Sequence, residues 1–397
     1  MLEPKQLYKR IEAVFAGLDP GGSAERFASS FVPQVLDKLG PPLGITSAHL
    51  YKNIDARLEL LKRWGQGRPD LGPELTRRMS VESRDIPDLP WAGEVAGGRV
   101  GLMPASEDQD LVMALFPAPP GELVGAPSPS QLSSALTSLH YAFGQHRRRH
   151  EMEDLFAQAR AIQLSLLPDG RPRFGEFDIA AISVPAQSVG GDLYDFIHVD
   201  GETLGIAIAD SSGHGLPAAL QARDVATGLR MGVARDFKLQ RVVEKLNGII
   251  HRSGLVTRFI SMVFGELERN GNFTYINAGH PPALLLGPRG MSELSVGGTL
   301  LGPQADAVYK LGFAHLDRGS ALAMVTDGVI ERGVESGDMF GLERLKAWLQ
   351  DWPAGPAHEA TQDLLRRVTA YPDGRPFEDD VTIVYVHRPG ERGVAPR

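Results

Sequence analysis

The sequence predicts an α+β protein of two domains joined by a long helix. Three observations lead to this prediction. The chain has 397 residues, more than one ordinary domain needs. Its first part passes from helix-like to strand-like patterns, and residues 175–387 interleave strands with helices. Between these parts, residues 131–167 contain no proline and a single glycine, Gly144, which favours one continuous helix.

The first domain, assigned to residues 1–128, begins with two amphipathic helices. Residues Pro4–Ala16 and Ala24–Leu39 carry apolar side chains at helical spacing. Strands are predicted next at Ser47–Tyr51, Leu58–Leu61, Gly98–Pro104 and Leu111–Phe116. Two helices, several strands and then a closing helix predict a small α+β domain.

Residues 129–168 are interpreted as a helical, coiled-coil-like linker. The segment has two apolar stripes, each with steps of 4, 3 and 4 residues, as in a coiled-coil seam. The stripes are Leu132, Leu136, Leu139 and Phe143, then Leu155, Ala159, Ile162 and Leu166. Their phase changes at His146–His150, a stutter that locally alters coiled-coil winding. We favour a linker that forms a homodimer; the alternative is a helix that packs on its own domains.

The second domain is assigned to residues 169–389, and residues 390–397 to a tail. Its predicted strands are Phe177–Val184, Leu204–Ala209, Phe259–Leu267, Phe273–Asn277, Ala321–Thr326 and Val381–Val386. Its predicted helices are Leu216–Val233, Leu239–His251, Leu342–Gln350 and Glu359–Tyr371.

Composition narrows the classes of function. The formal net charge is −8, so the chain as a whole has no electrostatic footprint for nucleic acid or an anionic membrane. The absence of cysteine excludes disulfides, thiolate nucleophiles and cysteine zinc sites. The N-terminus lacks an apolar signal core, and no window reaches eighteen uninterrupted apolar residues. We therefore expect a soluble, cytoplasmic protein with neither a nucleic-acid nor a membrane partner.

Four aspartates occupy the ends of predicted strands or glycine-bearing turns. Asp210 and Asp327 end apolar strands, Asp379 precedes one, and Asp192 follows two glycines. Converging carboxylates repel one another unless cations neutralise them, and such hard oxygen ligands suit Mg²⁺ or Mn²⁺. Taken singly, each aspartate is better explained as a turn or cap residue.

Five sequence blocks, in order, decide between these interpretations. They are Ser188–Asp195 (SVGGDLYD), Asp210–Ala219 (DSSGHGLPAA), Asn277–Pro282 (NAGHPP), Thr326–Glu331 (TDGVIE) and Glu378–Thr382 (EDDVT). Together they resemble the bacterial SpoIIE/RsbU-like branch of the PPM phosphatases, over roughly residues 160–387. Smaller matches at Ile162–Gln163 and Leu166–Pro168 agree.

The resemblance implies a PPM-type α-β-β-α sandwich with two divalent cations, Mn²⁺ or Mg²⁺, at one sheet edge. By motif position, Asp210 would bridge both cations and the main-chain carbonyl of Ser211 would bind one of them. Asp327 and Asp379 would ligate the other cation, and Asp192 would hold the second cation through water. A metal-bound water held by Asp210 would then attack the phosphorus of phosphoserine or phosphothreonine.

Some positions depart from the family pattern or invite another role. Ser211 stands where the branch usually has valine, and Ser261 where it usually has threonine. Asp380 adjoins Asp379 but is the less favoured ligand of that pair. His214 and His280 lie in glycine-rich turns, so we interpret both as structural rather than as general acids.

The first domain resembles a GAF domain in pattern, and GAF domains often precede such phosphatases as sensors or dimer modules. The resemblance implies a regulated protein serine/threonine phosphatase. In this branch the substrate is often a STAS-domain anti-sigma-factor antagonist. The alternative is a catalytically idle member that acts as a ligand-sensing interaction scaffold. A metal-dependent nuclease or nucleotide phosphohydrolase is disfavoured by the motif order and the acidic charge.

Overall fold

The computed structural model divides the chain into two compact units, Met1–Asp154 and Leu155–Arg397. The structure describes residues 4–16, 18, 23–55, 57–65, 69–81, 90–95, 98–106, 110–118, 128–168, 170–187, 189–213, 215–233, 238–253, 259–352 and 355–390. The predicted tail therefore lies almost wholly outside the described residues. Within them, no helix combines the length and apolar character needed to cross a membrane.

The first unit has the predicted α+β class. Its helices are α1 (Pro4–Phe15), α2 (Ala24–Leu43) and α3 (Gly72–Val81), and its strands are β1 (Ile45–Ile54), β2 (Arg57–Gly65), β3 (Trp91–Val95), β4 (Gly98–Pro104) and β5 (Leu111–Pro117). The strands form one antiparallel sheet in the order β2-β1-β5-β4-β3. Neither α3 nor β3 was predicted from the sequence.

Helix α2 runs four residues beyond its predicted end at Leu39. It stops where Gly44 adopts the left-handed conformation (φ 62°) and its N–H donates to the carbonyls of Gly40 and Pro41. At the other end the Ser23 hydroxyl accepts from the N–H of Arg26. The helix therefore ends at a glycine cap, because glycine has no Cβ atom and adopts the left-handed conformation without a clash.

Helix α4 (Pro129–Leu164) confirms that the linker segment is helical. Its two apolar stripes have different environments. The first is buried in the core of the first unit, as the alternative interpretation expected: Leu132, Leu136, Leu139 and Phe143. In the second stripe, Leu155 is 65% exposed and Ile162 is 63% exposed. Only the second stripe is therefore left as a candidate seam.

The second unit contains two sheets. The strands are β6 (Asp178–Val184), β7 (Asp192–His198), β8 (Thr203–Ser211), β9 (Ile260–Glu268), β10 (Asn272–Ala278), β11 (Ala283–Gly287), β12 (Gly290–Leu294), β13 (Gly297–Gly298), β14 (Gly312–His315), β15 (Ala321–Val325) and β16 (Val381–His387). The first sheet has the order β13-β10-β9-β8-β7, with β14 also paired to β10; the second has the order β12-β11-β15-β16-β6. The β10–β13 pair is parallel and the other pairs are antiparallel.

The helices of the second unit cover the outer faces of these sheets. They are α5 (Leu216–Val233), α6 (Leu239–Arg252), α7 (Asp327–Ile330), α8 (Gly341–Asp351) and α9 (Ala357–Ala370). One buried cluster joins the facing sides of the two sheets, with Ile206 of β8 and Val384 of β16 among its members. Two further clusters join the first sheet to α5 and α6, and the second to α8 and α9. These layers confirm the predicted α-β-β-α sandwich.

Candidate metal centre

The fold brings the predicted ligands to one end of the sandwich. Asp192 is the first residue of β7 and pairs directly with Asp210 near the end of β8. Asp327 begins α7, just after β15, and Asp379 lies just before β16, which pairs with β15. Asp327 was predicted to end a strand, but the strand stops at Val325 because the chain turns there into α7.

Asp192 is buried and held by a hydroxyl. Its side chain accepts a hydrogen bond at 2.8 Å from Oγ1 of Thr326, and that hydroxyl accepts from the N–H of Thr382 at 3.0 Å. Burial raises the pKa of Asp192 well above its usual value, and the nearby charge of Asp210 raises it further. Thr326 therefore links the second sheet to the edge strand of the first.

Asp210 is the aspartate on which the electrostatic interactions converge. Burial raises its pKa to about 8, and Asp327, Asp379 and Asp380 each contribute repulsion in the same direction. The pKa of Asp327 rises to about 6, through burial and then through repulsion from Asp379. Each of these carboxylates thus disfavours ionisation of its neighbours, as expected of a site that needs cations.

Asp379 and Asp380 have different surroundings. The Asp380 carboxylate accepts from the N–H of Ala186 at 2.8 Å and from the N–H of Gly191 at 2.6 Å. One oxygen of Asp379 accepts from the N–H of Asp380 at 2.8 Å. Since main-chain donors already engage both oxygens of Asp380, its main role is to hold the turn before Asp192. This supports Asp379 as the ligand of the pair.

Two glycines in this turn are required by close packing. A Cβ atom on Gly190 would lie 2.4 Å from a carboxylate oxygen of Asp380, and one on Gly191 would lie 2.9 Å from the carbonyl oxygen of Ser211. Any side chain at either position would displace the carboxylate or the strand. The same contact places the main-chain oxygen of Ser211, a predicted ligand, against the Asp192 turn.

The donor set fits a hard divalent cation, although it is not yet arranged around one. Among the described residues, no group of three histidine, aspartate or glutamate side chains is placed closely enough to hold a metal ion. The four aspartates nevertheless supply oxygen donors alone, and burial together with repulsion from neighbouring carboxylates raises the pKa of Asp210 and Asp327. Oxygen donors under such repulsion are suited to Mg²⁺ or Mn²⁺.

His280 is enclosed and neutral. Its Nδ1 lies 2.7 Å from Oγ of Ser261, and its main-chain N–H donates to Oδ1 of Asn277 at 2.8 Å. Burial lowers its pKa to about 3, so the imidazole is neutral at neutral pH and cannot act as a general acid. This supports the interpretation of His280 as structural. His214 lies outside the described residues.

Arg332 is a site residue that the sequence analysis missed. Its side chain is buried, and its three hydrogen bonds go to the main-chain oxygens of Tyr371 (2.9 Å), Pro376 (2.7 Å) and Arg375. Its guanidinium also lies over the ring of Phe377, 5.1 Å from the centroid. Arg332 therefore fixes the loop that leads to Asp379. No sequence spacing reveals this contact, because the acceptors are backbone atoms at least 39 residues away.

Comparison with known proteins agrees with this architecture. Residues 200–389 match the profile of the family described as Stage II sporulation protein E (SpoIIE). The chain is 29% identical over 245 residues to phosphoserine phosphatase RsbU of Bacillus subtilis, covering 60% of this chain and 72% of RsbU. Residues 200–389 belong to a SpoIIE-family phosphatase domain. The resemblance predicted from the five sequence blocks is confirmed.

Other relatives of the SpoIIE-family domain extend the comparison. Protein IcfG of Synechocystis is 28% identical over 261 residues, covering 58% of this chain but only 41% of IcfG. The solved SiaA-PP2C domain of Pseudomonas aeruginosa superposes with a TM-score of 0.54 at 22% identity, covering 60% of this chain and 98% of that domain. This likeness shows that the SpoIIE-family domain has the PP2C fold.

Proposed function

We propose that the chain hydrolyses phosphoserine or phosphothreonine on a partner protein, using two divalent cations, Mn²⁺ or Mg²⁺. The observation that supports this most strongly is the convergence of the predicted ligands at one end of the sandwich. There burial and then the charges of Asp327 and Asp379 raise the pKa of Asp210, and burial and then the charge of Asp210 raise that of Asp192. Such a cluster is costly without cations and suited to holding them.

The chain's own residues have distinct roles in this proposal. Asp210 interacts electrostatically with Asp327, Asp379 and Asp380 and would contact both cations. The Ser211 carbonyl would contact one of them, Asp327 and Asp379 would hold the other, and Asp192 would hold the second cation through water. The bound cations supply a water of lowered pKa and neutralise charge on the transferring phosphoryl group. Thr326 orients Asp192 through its 2.8 Å hydrogen bond.

We further propose that the partner is a STAS-domain anti-sigma-factor antagonist and that the first unit controls the reaction. The relatives RsbU and RsbP of Bacillus subtilis are named phosphoserine phosphatases. The first unit has an α+β fold with an antiparallel sheet, and we interpret it as GAF-like. The first part of helix α4 lies in the core of this unit, and the helix continues to Leu164. A cytoplasmic location is part of the same proposal.

The proposed activity is tested by assaying the full chain with and without metal. We expect hydrolysis of a phosphoserine peptide in the presence of Mn²⁺ and loss of that hydrolysis on chelation, with recovery when Mn²⁺ is returned. A phosphorylated STAS-domain protein should be a better substrate than the peptide. If the chain hydrolyses neither the peptide nor the STAS-domain protein, with Mn²⁺ or with Mg²⁺, the proposed activity is wrong.

A second candidate is an idle phosphatase fold that acts as a ligand-sensing interaction scaffold. The observation that favours it is that no three acidic or histidine side chains of the described residues are arranged for a metal. Calorimetry separates the two candidates, because an enzyme of the proposed kind binds Mn²⁺ and the scaffold does not.

We also propose that the second apolar stripe of α4 forms a homodimer. Leu155 and Ile162 are exposed on a helix, and exposed apolar residues at coiled-coil spacing favour a partner helix. Light scattering at micromolar concentration should give twice the chain mass, and Leu155→Glu with Ile162→Glu should give the monomer. Ala157→Glu, at an exposed position off the stripe, is the control and should remain dimeric. A monomeric wild-type chain would disprove the dimer.

A further inference from the structure

The C-terminal end of α4 makes a paired contact with the turn before Asp192. The side-chain amide of Gln163 donates through Nε2 to the carbonyl oxygen of Gly190 at 2.5 Å. The N–H of Gly190 donates in return to Oε1 of Gln163 at 3.1 Å. One side chain thus satisfies both main-chain groups of a residue two positions before Asp192.

A second contact links the same segment to the strand on the other side of Asp192. Arg230 of α5 donates through Nη2 to the carbonyl oxygen of Leu166 at 2.7 Å. It also donates to both carboxylate oxygens of Asp195, at 2.8 Å from Nε and 3.1 Å from Nη2. The Asp195 carboxylate is buried, so this ion pair is partly desolvated and more strongly held than a surface pair. Residues 163–166 are therefore linked to the chain before Asp192 directly, through Gln163, and to the chain after it through Arg230.

The turn between these contacts needs such support. Gly190 and Gly191 have no side chains with which to pack, and glycine loses the most conformational freedom on ordering. The N–H of Gly191 is fixed by Asp380, while the main-chain groups of Gly190 are bound by Gln163. The position of the Asp192 carboxylate relative to Asp210 therefore depends on an amide at the end of α4.

We propose that Gln163 is a positioning residue for Asp192 and that it sets the affinity of the Asp192 side of the site for a divalent cation. This inference rests on the proposed function, since it assigns Gln163 to the same metal centre. Partners that orient ligands typically change metal affinity by about 10- to 100-fold when removed. Because Gln163 lies at the end of α4, a shift of that helix would move the turn before Asp192 through the hydrogen bonds between Gln163 and Gly190.

Three full-length proteins test the proposal. Gln163→Ala removes both hydrogen bonds to Gly190. Gln163→Glu keeps an acceptor for the N–H of Gly190 but cannot donate to the carbonyl of Gly190. Gln158→Ala makes the same chemical change at an exposed position of the same helix and is the control. Hydrogen exchange of metal-free protein, read on peptides that cover residues 189–196, reports the turn independently of activity. Calorimetry with Mn²⁺ reports affinity.

We expect Gln163→Ala to accelerate exchange in this peptide and to weaken Mn²⁺ binding by about 10-fold, with smaller changes in Gln163→Glu and none in Gln158→Ala. Saturating Mn²⁺ should largely restore hydrolysis in Gln163→Ala. Exchange and Mn²⁺ affinity equal to those of the wild type in Gln163→Ala would overturn the inference and leave the proposed function standing. A wild type that hydrolyses no phosphopeptide would instead overturn the proposed function, while faster exchange in the variant would still show that Gln163 holds the turn.

Discussion

Asp210→Asn is expected to remove the metal-dependent phosphatase activity. We expect kcat/KM for a phosphoserine peptide to fall by about 10³-fold or more, which corresponds to about 4 kcal/mol of transition-state stabilisation. The reason is that Asp210 interacts electrostatically with Asp327 and Asp379 as well as pairing with Asp192. Asparagine keeps the shape of the side chain but removes the charge that both cations would share.

The fold should survive this substitution, which makes the measurement decisive. The charge of Asp210 is repelled by its neighbours, so removing it is not expected to lower the free energy of unfolding of the metal-free protein. Urea denaturation checks this, and calorimetry should show loss of Mn²⁺ binding in parallel with activity. Asp306→Asn, an exposed aspartate of the same unit, is the control and should behave as wild type. Undiminished hydrolysis by a folded Asp210→Asn protein would refute the assigned centre.

The sequence could predict a set of ligands because the four aspartates lie in local blocks. Asp210 lies near the end of an apolar strand and Asp327 follows another, so each block indicates both a strand and the place where it ends. Strand β7 was not predicted, since Asp192–His198 is recognisable as a strand mainly through its pairing with β8. That pairing is non-local, and the propensity of a half-buried edge strand is weak.

The supporting contacts could not be predicted for a related reason. Gln163 binds main-chain atoms of Gly190, 27 residues away, and Asp380 binds main-chain N–H groups about 190 residues away. Main-chain acceptors and donors occur at every residue, so no residue type marks them. Thr326 lies inside a recognised block, but its contact with Asp192 is only evident once the two sheets face each other.

The same limit applies to Arg332, for which we predict a large effect on stability. Arg332→Met should lower the free energy of unfolding by about 3–5 kcal/mol, because three carbonyls of the loop that carries Asp379 lose a donor whose side chain is buried. Each unsatisfied buried acceptor costs about 1–3 kcal/mol. Arg332→Lys should be intermediate, since a compact ammonium cannot reproduce a planar guanidinium that reaches three oxygens.

Urea denaturation of the metal-free protein measures this effect, with Arg375→Met as the matched control. The Arg375 side chain lies in the same loop but is 58% exposed and pairs with Asp373 only at 3.5 Å, so its removal should cost less than about 0.5 kcal/mol. An Arg332→Met protein within about 1 kcal/mol of wild type, an effect typical of ordinary substitutions, would show that the loop is held by other contacts. If the prediction holds, Mn²⁺ affinity should fall with stability, because Arg332 fixes the residues just before Asp379 while Thr326 fixes Asp192. The two sides of the metal centre would then depend on different buried donors.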